Sequence, residues 1–285
     1  DLRIQVCGQK AKSPVPARGE AKMINIEALE VSFHQGGGED RKVLNGIDLR
    51  VPKGQTVSII GSNGAGKSTL LNAIAGTVPI SSGSIVLDGR DCGKDPEWRR
   101  AAYLGRVRQN PLAGTAGEMT ILDNLALAAR KGPRGLRIAV NKSKAKVLAE
   151  QVSQLDMGLE NRLRENVSRL SGGQRQALTL LMAVLSHPSV LLLDEHTAAL
   201  DPGNAEIVGR LTRRFIAEYG LTALIVTHDM KQALEQADRV VMMHEGRILA
   251  DVSGGLKERM GVADLVELFR QSRGKDYAED RDLLG

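Results

Sequence analysis

The sequence predicts an α/β fold with a mostly parallel core sheet, an N-terminal antiparallel β subdomain and a helical insert. Three observations predict it. A compact apolar run at 56–60 meets a glycine-rich turn and then a helical stretch at 68–75. Downstream, helix-spaced stretches at 172–185, 203–219 and 230–236 alternate with apolar strand runs at 190–193 and 223–227, a pattern that favours a parallel sheet covered on both faces. Upstream, two strand-like stretches at 23–33 and 43–51 flank the loop 36–39 as a hairpin.

The remaining elements follow in order. Residues 1–22 carry Pro14, Pro16, Gly19 and scattered charges without apolar periodicity, which reads as a flexible lead or an expression remnant. The core domain is expected over 23–255. Within it, 84–88 and 101–107 read as strands, and 119–130 and 142–155 have helical spacing, so a mostly helical insert spans about 111–168. An amphipathic stretch at 262–269 predicts a packing helix within a C-terminal segment, 256–285, that ends in a charged tail. Neither an internal repeat nor a long heptad run is present.

Composition narrows the function classes. With 285 residues, 42% hydrophobic and 26% charged, the chain is long enough for a sizeable core and too apolar for wholesale disorder. Only seven residues are aromatic: Phe33, Trp98, Tyr103, Phe215, Tyr219, Phe269 and Tyr277. Stacking along a nucleic-acid strand is hard to build from so few, and no direct nucleic-acid contact is expected. Basic residues exceed acidic ones by 39 minus 34, or five, and cluster only around Arg130, Lys131, Arg134 and Arg137, which reads as a solvated, partner-facing surface. The longest nearly uninterrupted apolar stretch, 177–185, is far short of the roughly 20 residues that cross a bilayer. Two cysteines in unrelated settings, Cys7 and Cys92, fit a reducing compartment, so a cytosolic location is expected.

The segment Gly61, Ser62, Asn63, Gly64, Ala65, Gly66, Lys67, Ser68, Thr69 satisfies the P-loop pattern, with the strand before it and the helix after it that the pattern requires. Glycines let the backbone pass close to phosphate oxygens, and successive amides at a helix start receive the negative charge. Lys67 is placed to reach the β and γ phosphates and Ser68 to offer a hydroxyl to Mg²⁺. An ordinary glycine-rich turn would not require all of these residues together. Asn141-Lys142-Ser143-Lys144 superficially resembles a guanine-selecting motif but lacks the carboxylate that would accept from the guanine edge. The P-loop alone leaves a small-molecule kinase open.

The apolar run 190–193 ends in Asp194-Glu195. Neighbouring side chains diverge, so Asp194 suits the Mg²⁺ shell while Glu195 points toward an attacking water; the plain alternative is a capping acid or a solvated loop charge. Leu170-Ser171-Gly172-Gly173-Gln174 opens a helix, with Ser171 suited to the N-cap and the glycines permitting close approach by an anion. Alone, it would be only a turn at the start of a helix.

The order of P-loop, Gln109, Leu170 to Gln174, Asp194-Glu195, Ala199-Leu200-Asp201 and His228 resembles the nucleotide-binding subunit of ABC transporters over about 23–250. The resemblance implies ATP and Mg²⁺ as ligands. It also implies two subunits packed head to tail, each ATP lying between one P-loop and the Ser171 to Gln174 turn of the other, as a homodimer or a pair with a related subunit. Gln109 resembles the Q-loop glutamine that touches Mg²⁺ or water; otherwise it is a surface amide. His228 resembles the switch histidine that contacts the γ-phosphate, although a histidine after a strand is more often structural. Asp201 resembles the D-loop acid that senses the opposite subunit, where a generic Asp-Pro would merely start a turn. Two residues depart from the family pattern. Phe33 stands where tyrosine commonly meets adenine, with a core role or an approach by His34 as alternatives. His196 follows the catalytic acid where proline is common. His187 and His244 read as structural or exposed.

The resemblance further implies a separate integral-membrane permease docking at the insert, which would put the chain at the cytoplasmic face of the membrane. The string Met119-Thr120-Ile121-Leu122-Asp123-Asn124-Leu125 with Gln109-Asn110-Pro111 looks like ATPases of bacterial amino-acid importers, which implies an extracytoplasmic solute-binding protein. A separate-subunit exporter and a non-transport ABC ATPase acting on DNA or ribosomes are the alternatives. The absence of a long coiled-coil insertion and of a second P-loop argues against the latter.

Overall fold

The computed structural model describes residues 22–34, 40–129 and 141–273. The N-terminal lead, the loop 36–39, Cys7, Tyr277 and the cluster Arg130, Lys131, Arg134 and Arg137 lie outside the described residues, apart from Lys22 at the edge of the lead. In chain order the elements are β1 Lys22–Phe33, β2 Arg41–Pro52, β3 Thr56–Gly61, α1 Lys67–Ala75, β4 Ser82–Leu87, β5 Arg90–Asp91, α2 Glu97–Arg100 and β6 Leu104–Val107. They continue with α3 Ile121–Ala128, α4 Lys142–Ser153, α5 Gly172–Leu185, β7 Val190–Asp194, α6 Pro202–Tyr219, β8 Thr222–Val226 and α7 Met230–Gln236. The chain then runs through β9 Arg239–His244, β10 Arg247–Ser253, α8 Gly254–Arg259 and α9 Val262–Arg273. Two compact units form: unit one takes the described residues up to Ala101 and from Leu221, and unit two runs from Ala102 to Gly220.

In unit one, β1 pairs antiparallel with β2, Ile26 opposite Leu49, and with β4, Ile26 opposite Ile85. This is the expected antiparallel subdomain. β3 runs parallel to β8 and β9, with Ile59 opposite Val226 and Val241. Every residue of β3 and β8 is buried, which is why both read as short continuous apolar runs and not as alternation. Ile60, Met230, Ala233, Val240 and Met242 form a core that Leu265, Leu268 and Phe269 of α9 complete.

In unit two, β6 and β7 are parallel, Val107 opposite Leu193, and Gly105 lets α5 approach closely: a Cβ there would lie 2.7 Å from Ala183 O. Among the described residues no helix is long and apolar enough to cross a membrane.

Element ends depart from the sequence reading where a cap decides them. The strand expected from 101 starts at Leu104, because Ala101 closes α2 by donating its N–H to Glu97 O at 2.8 Å. The helix expected from 119 starts at Ile121, because the Thr120 hydroxyl accepts from Asp123 N at 3.1 Å as N-cap. Asn124, fully buried, bonds both the N–H and the carbonyl of Ala116, at 2.8 and 3.0 Å, and ties the segment before α3 to that helix.

Candidate functional site

Unit one holds the phosphate cradle. A Cβ at Gly61, where φ is +154°, would lie 2.1 Å from the Met243 carbonyl oxygen on β9, so only glycine lets the strand leave the sheet here. Gly64 and Gly66 adopt φ of 78° and 96°, a region costly to side chains. The loop closes on itself through Ala65 N–H donating to Ser62 O at 3.1 Å. Gly66 is the N-cap of α1, and no side chain caps that helix. The first amides of α1 therefore present partial positive charge at the mouth of the loop, where an anion is stabilised. The Lys67 side chain is buried and donates to Gly61 O at 2.7 Å and Ser62 O at 3.0 Å, which holds a cation across the same loop. Ser68 and Asn63 are exposed and Thr69 is half-buried. A loop that only glycines let take this path, lined by amides and one ammonium, fits a polyphosphate.

His228 belongs to the same edge. Thr227 N–H donates to Ile59 O at 3.2 Å, continuing the pairing of β8 with β3, so His228 emerges at the carboxyl end of the strands beside the loop, where ligands of parallel sheets collect. It is exposed, and the next residue, Asp229, caps α7 by accepting from Gln232 N at 3.0 Å. Phe33 ends β1 and is 41% exposed, which removes the core alternative; His34 pairs with Asp40.

Unit two holds the acids. Gln109 lies two residues past β6 and is exposed, while Asp194 ends β7 and Glu195 follows it, both half-buried. Because β6 and β7 are parallel neighbours, the three leave at one edge. Glu195 adopts left-handed backbone, φ 44°, and its carbonyl accepts from Ala198 N at 3.1 Å. Ser171 and Gln174 form a capping box at the start of α5, each side chain accepting from the other's N–H at 3.2 Å. Asp201 caps α6, and hydrogen bonds from the Asn204 side chain and backbone hold its carboxyl below the ordinary range.

Comparison with known proteins decides the family. The family model described as "ABC transporter" matches residues 44–198, more than half of the chain. The chain belongs to the ABC transporter family. It is 41% identical over 247 residues to a tyrosine transport ATP-binding protein of Clostridioides difficile, covering 87% of this chain and 98% of the relative. An aliphatic sulfonates import ATP-binding protein of Rhizobium johnstonii is 35% identical, covering 85% of this chain and 81% of the relative. Among solved structures, the ADP conformation of an ATP-binding cassette of an ABC transporter superposes with a TM-score of 0.71 at 26% identity, covering 87% and 98%. The chain is thus an ABC ATPase: a P-loop α/β protein that binds ATP and couples its hydrolysis to transport.

Two histidines of this ABC ATPase carry more than the sequence reading assigned. His244, at the end of β9, places Nδ1 3.4 Å from Ser62 Oγ in the P-loop. The signal that could have found it is the two-residue turn Glu245-Gly246 between apolar runs, a hairpin that aligns β9 with Gly61.

His196 is buried, with Nε2 3.0 Å from Thr212 Oγ1. The Thr212 hydroxyl donates to Val208 O at 2.9 Å, so Nε2 is the donor to Thr212. Burial pushes its pKa down to about 4. The unfolded chain therefore takes up a proton near pH 6.5 that the folded chain refuses until about pH 4. The resulting stability is fully present above pH 6.5 and is lost as pH falls toward 4, by about 3 kcal/mol across the window. Urea titrations at pH 7 and pH 4.5 should show this loss in the wild type and a smaller one in His196→Gln. Equal losses in both would sink the assignment.

Proposed function

We propose that this ABC ATPase powers an importer of amino-acid-like solutes, working as a head-to-tail dimer with another copy or a related subunit. It docks at the cytoplasmic face of the membrane on a separate integral-membrane permease, which an extracytoplasmic solute-binding protein supplies. The observation that carries the cargo class is the 41% identity, across nearly the full length of the relative, to a protein named for tyrosine transport.

In this reading the P-loop residues Gly61 to Thr69 hold the phosphates and Phe33 stacks on adenine. Ser68, Asp194 and Gln109 offer the hard oxygen donors that suit Mg²⁺. Mg²⁺, when bound, neutralises charge building on the β and γ phosphates. Glu195 orients the attacking water and accepts its proton as the water oxygen bonds to the γ phosphorus. The bond to the bridging oxygen breaks, yielding ADP and phosphate, while Lys67 and His228 stabilise the γ-phosphate oxygens. Ser171, Gly172, Gly173 and Gln174, with Asp201, meet the nucleotide held by the other subunit. Closure with ATP and opening after hydrolysis drive the permease. The core domain is 23–255 with its insert at about 111–168, where the permease docks; the segments 1–22 and 256–285 flank it.

The test is reconstitution with the permease and solute-binding protein encoded beside this chain. ATP hydrolysis in proteoliposomes should rise when the binding protein is loaded from a panel of amino acids. Indifference to every loaded binding protein, or purification of the chain with ribosomes or nucleic acid, would overturn the proposal.

A further inference from the structure

The second glycine of the Ser171-Gly172-Gly173 turn has a reason internal to this chain. Gly173 is buried and is not among the residues with positive φ, so backbone freedom does not explain it. A Cβ at Gly173 would lie 2.2 Å from Asn204 Oδ1, 2.3 Å from its Cγ and 2.8 Å from its Cβ. The Asn204 side chain occupies the place a β-carbon would take. One residue earlier, a Cβ at Gly172 would touch Leu200 Cδ2 at 3.7 Å. The first turn of α5 therefore rests on Leu200 and on Asn204 in the first turn of α6.

Asn204 reaches the other way as well. Its Nδ2 donates to Asp201 Oδ2 at 2.6 Å and its backbone N–H to Oδ1 at 3.1 Å, so both carboxylate oxygens are gripped by one residue. The backbone bond alone suffices to cap α6. The side-chain bond adds a link from that cap to Gly173.

We propose that Asn204 is a positioning residue that joins the Asp201 carboxylate to the first turn of α5, so that both elements approach a partner subunit's nucleotide as one body. The proposal rests on the composite-site reading above. An amide suits the position because it donates to Asp201 and is narrow enough to lie on a glycine. A carboxylate would repel Asp201, and alanine would leave the two elements unlinked.

The test uses the full chain carrying Glu195→Gln, with ATP titrated and dimer measured by light scattering, beside fluorescent-ADP affinity and thermal melting. Adding Asn204→Ala or Asn204→Asp should raise the ATP concentration for half-maximal dimer by about tenfold or more, the effect of losing a charge-assisted hydrogen bond. ADP affinity should stay within about twofold, since Asn204 bonds Asp201 and lies on Gly173, both in unit two, while the P-loop belongs to unit one. Both variants dimerising at the parent's ATP concentration would overturn the coupling and leave the composite site standing. A parallel loss of ADP affinity would mark a merely structural role and overturn it too. A parent that stays monomeric in millimolar ATP would bring down the composite-site reading and the coupling together.

Discussion

Glu195→Gln should slow ATP hydrolysis by about 10²–10⁴-fold, the usual contribution of a positioned general base, while ATP still binds. The substitution keeps shape and volume and removes only the capacity to take a proton from water. The cradle around Gly61, Gly66 and Lys67 is built from unit one and the substitution leaves its residues unchanged, so affinity for ATP should persist. Bound but uncleaved nucleotide should then accumulate in a closed dimer. Phosphate release, equilibrium binding of fluorescent ATP, and light scattering measure the three parts separately. Asp194→Asn provides the contrast: it should depend on Mg²⁺ concentration where Glu195→Gln does not, because the two adjacent acids serve different atoms. Near-normal turnover in Glu195→Gln would remove Glu195 from the catalytic role and return it to its plain reading as a loop acid with left-handed backbone.

How far the sequence could lead to this site depends on whether a residue acts through local pattern or through distant chain. The P-loop, the apolar run into Asp194-Glu195 and the alternation of strand with helix are local, and the α/β architecture was legible from them. The hairpin β9–β10 was not, because a buried ion pair sits inside it: Arg239 and Asp251, bonded through Nε at 2.6 Å, put charges where a strand pattern expects apolar residues. Periodicity cannot separate such a pair from a solvated loop, and the pairing spans twelve residues. The start of β6 was misread because Ala101 suits a strand by size but is claimed by the cap of α2.

Within the site, the glycines were legible as glycines but not for their causes. Gly61 answers to Met243 and Gly173 to Asn204, contacts separated by 182 and 31 positions and invisible to any window. His196 is the sharpest case. Its place after Glu195 marked it as unusual, yet only the Thr212 hydroxyl across α6 explains how a neutral imidazole is accommodated there. A buried polar side chain has to find a partner, and a sequence does not name which one.

Lys67→Ala should weaken nucleotide binding by about 10²-fold and abolish measurable turnover at concentrations that saturate the wild type. Two charge-assisted bonds from an ammonium to phosphate oxygens contribute about 1.5–3 kcal/mol each. Part of that is offset because the ammonium already donates to Gly61 O and Ser62 O and gives up those partners when it turns to phosphate. The net, roughly 2–4 kcal/mol, corresponds to the stated loss. Because Lys67 is buried against its own loop, the substitution also frees the two carbonyls that face inward, so the loop should loosen even without nucleotide. Protection of the amides of Gly64 to Ser68 from hydrogen exchange should fall in Lys67→Ala. Those on β3, held by β8 and β9 on either side, should keep theirs. Titration calorimetry with ATP and with ADP gives the affinity, and ATP should lose more than ADP because only ATP presents the γ-phosphate. Equal losses for both nucleotides would mean that Lys67 acts by shaping the loop and not by meeting the terminal phosphate.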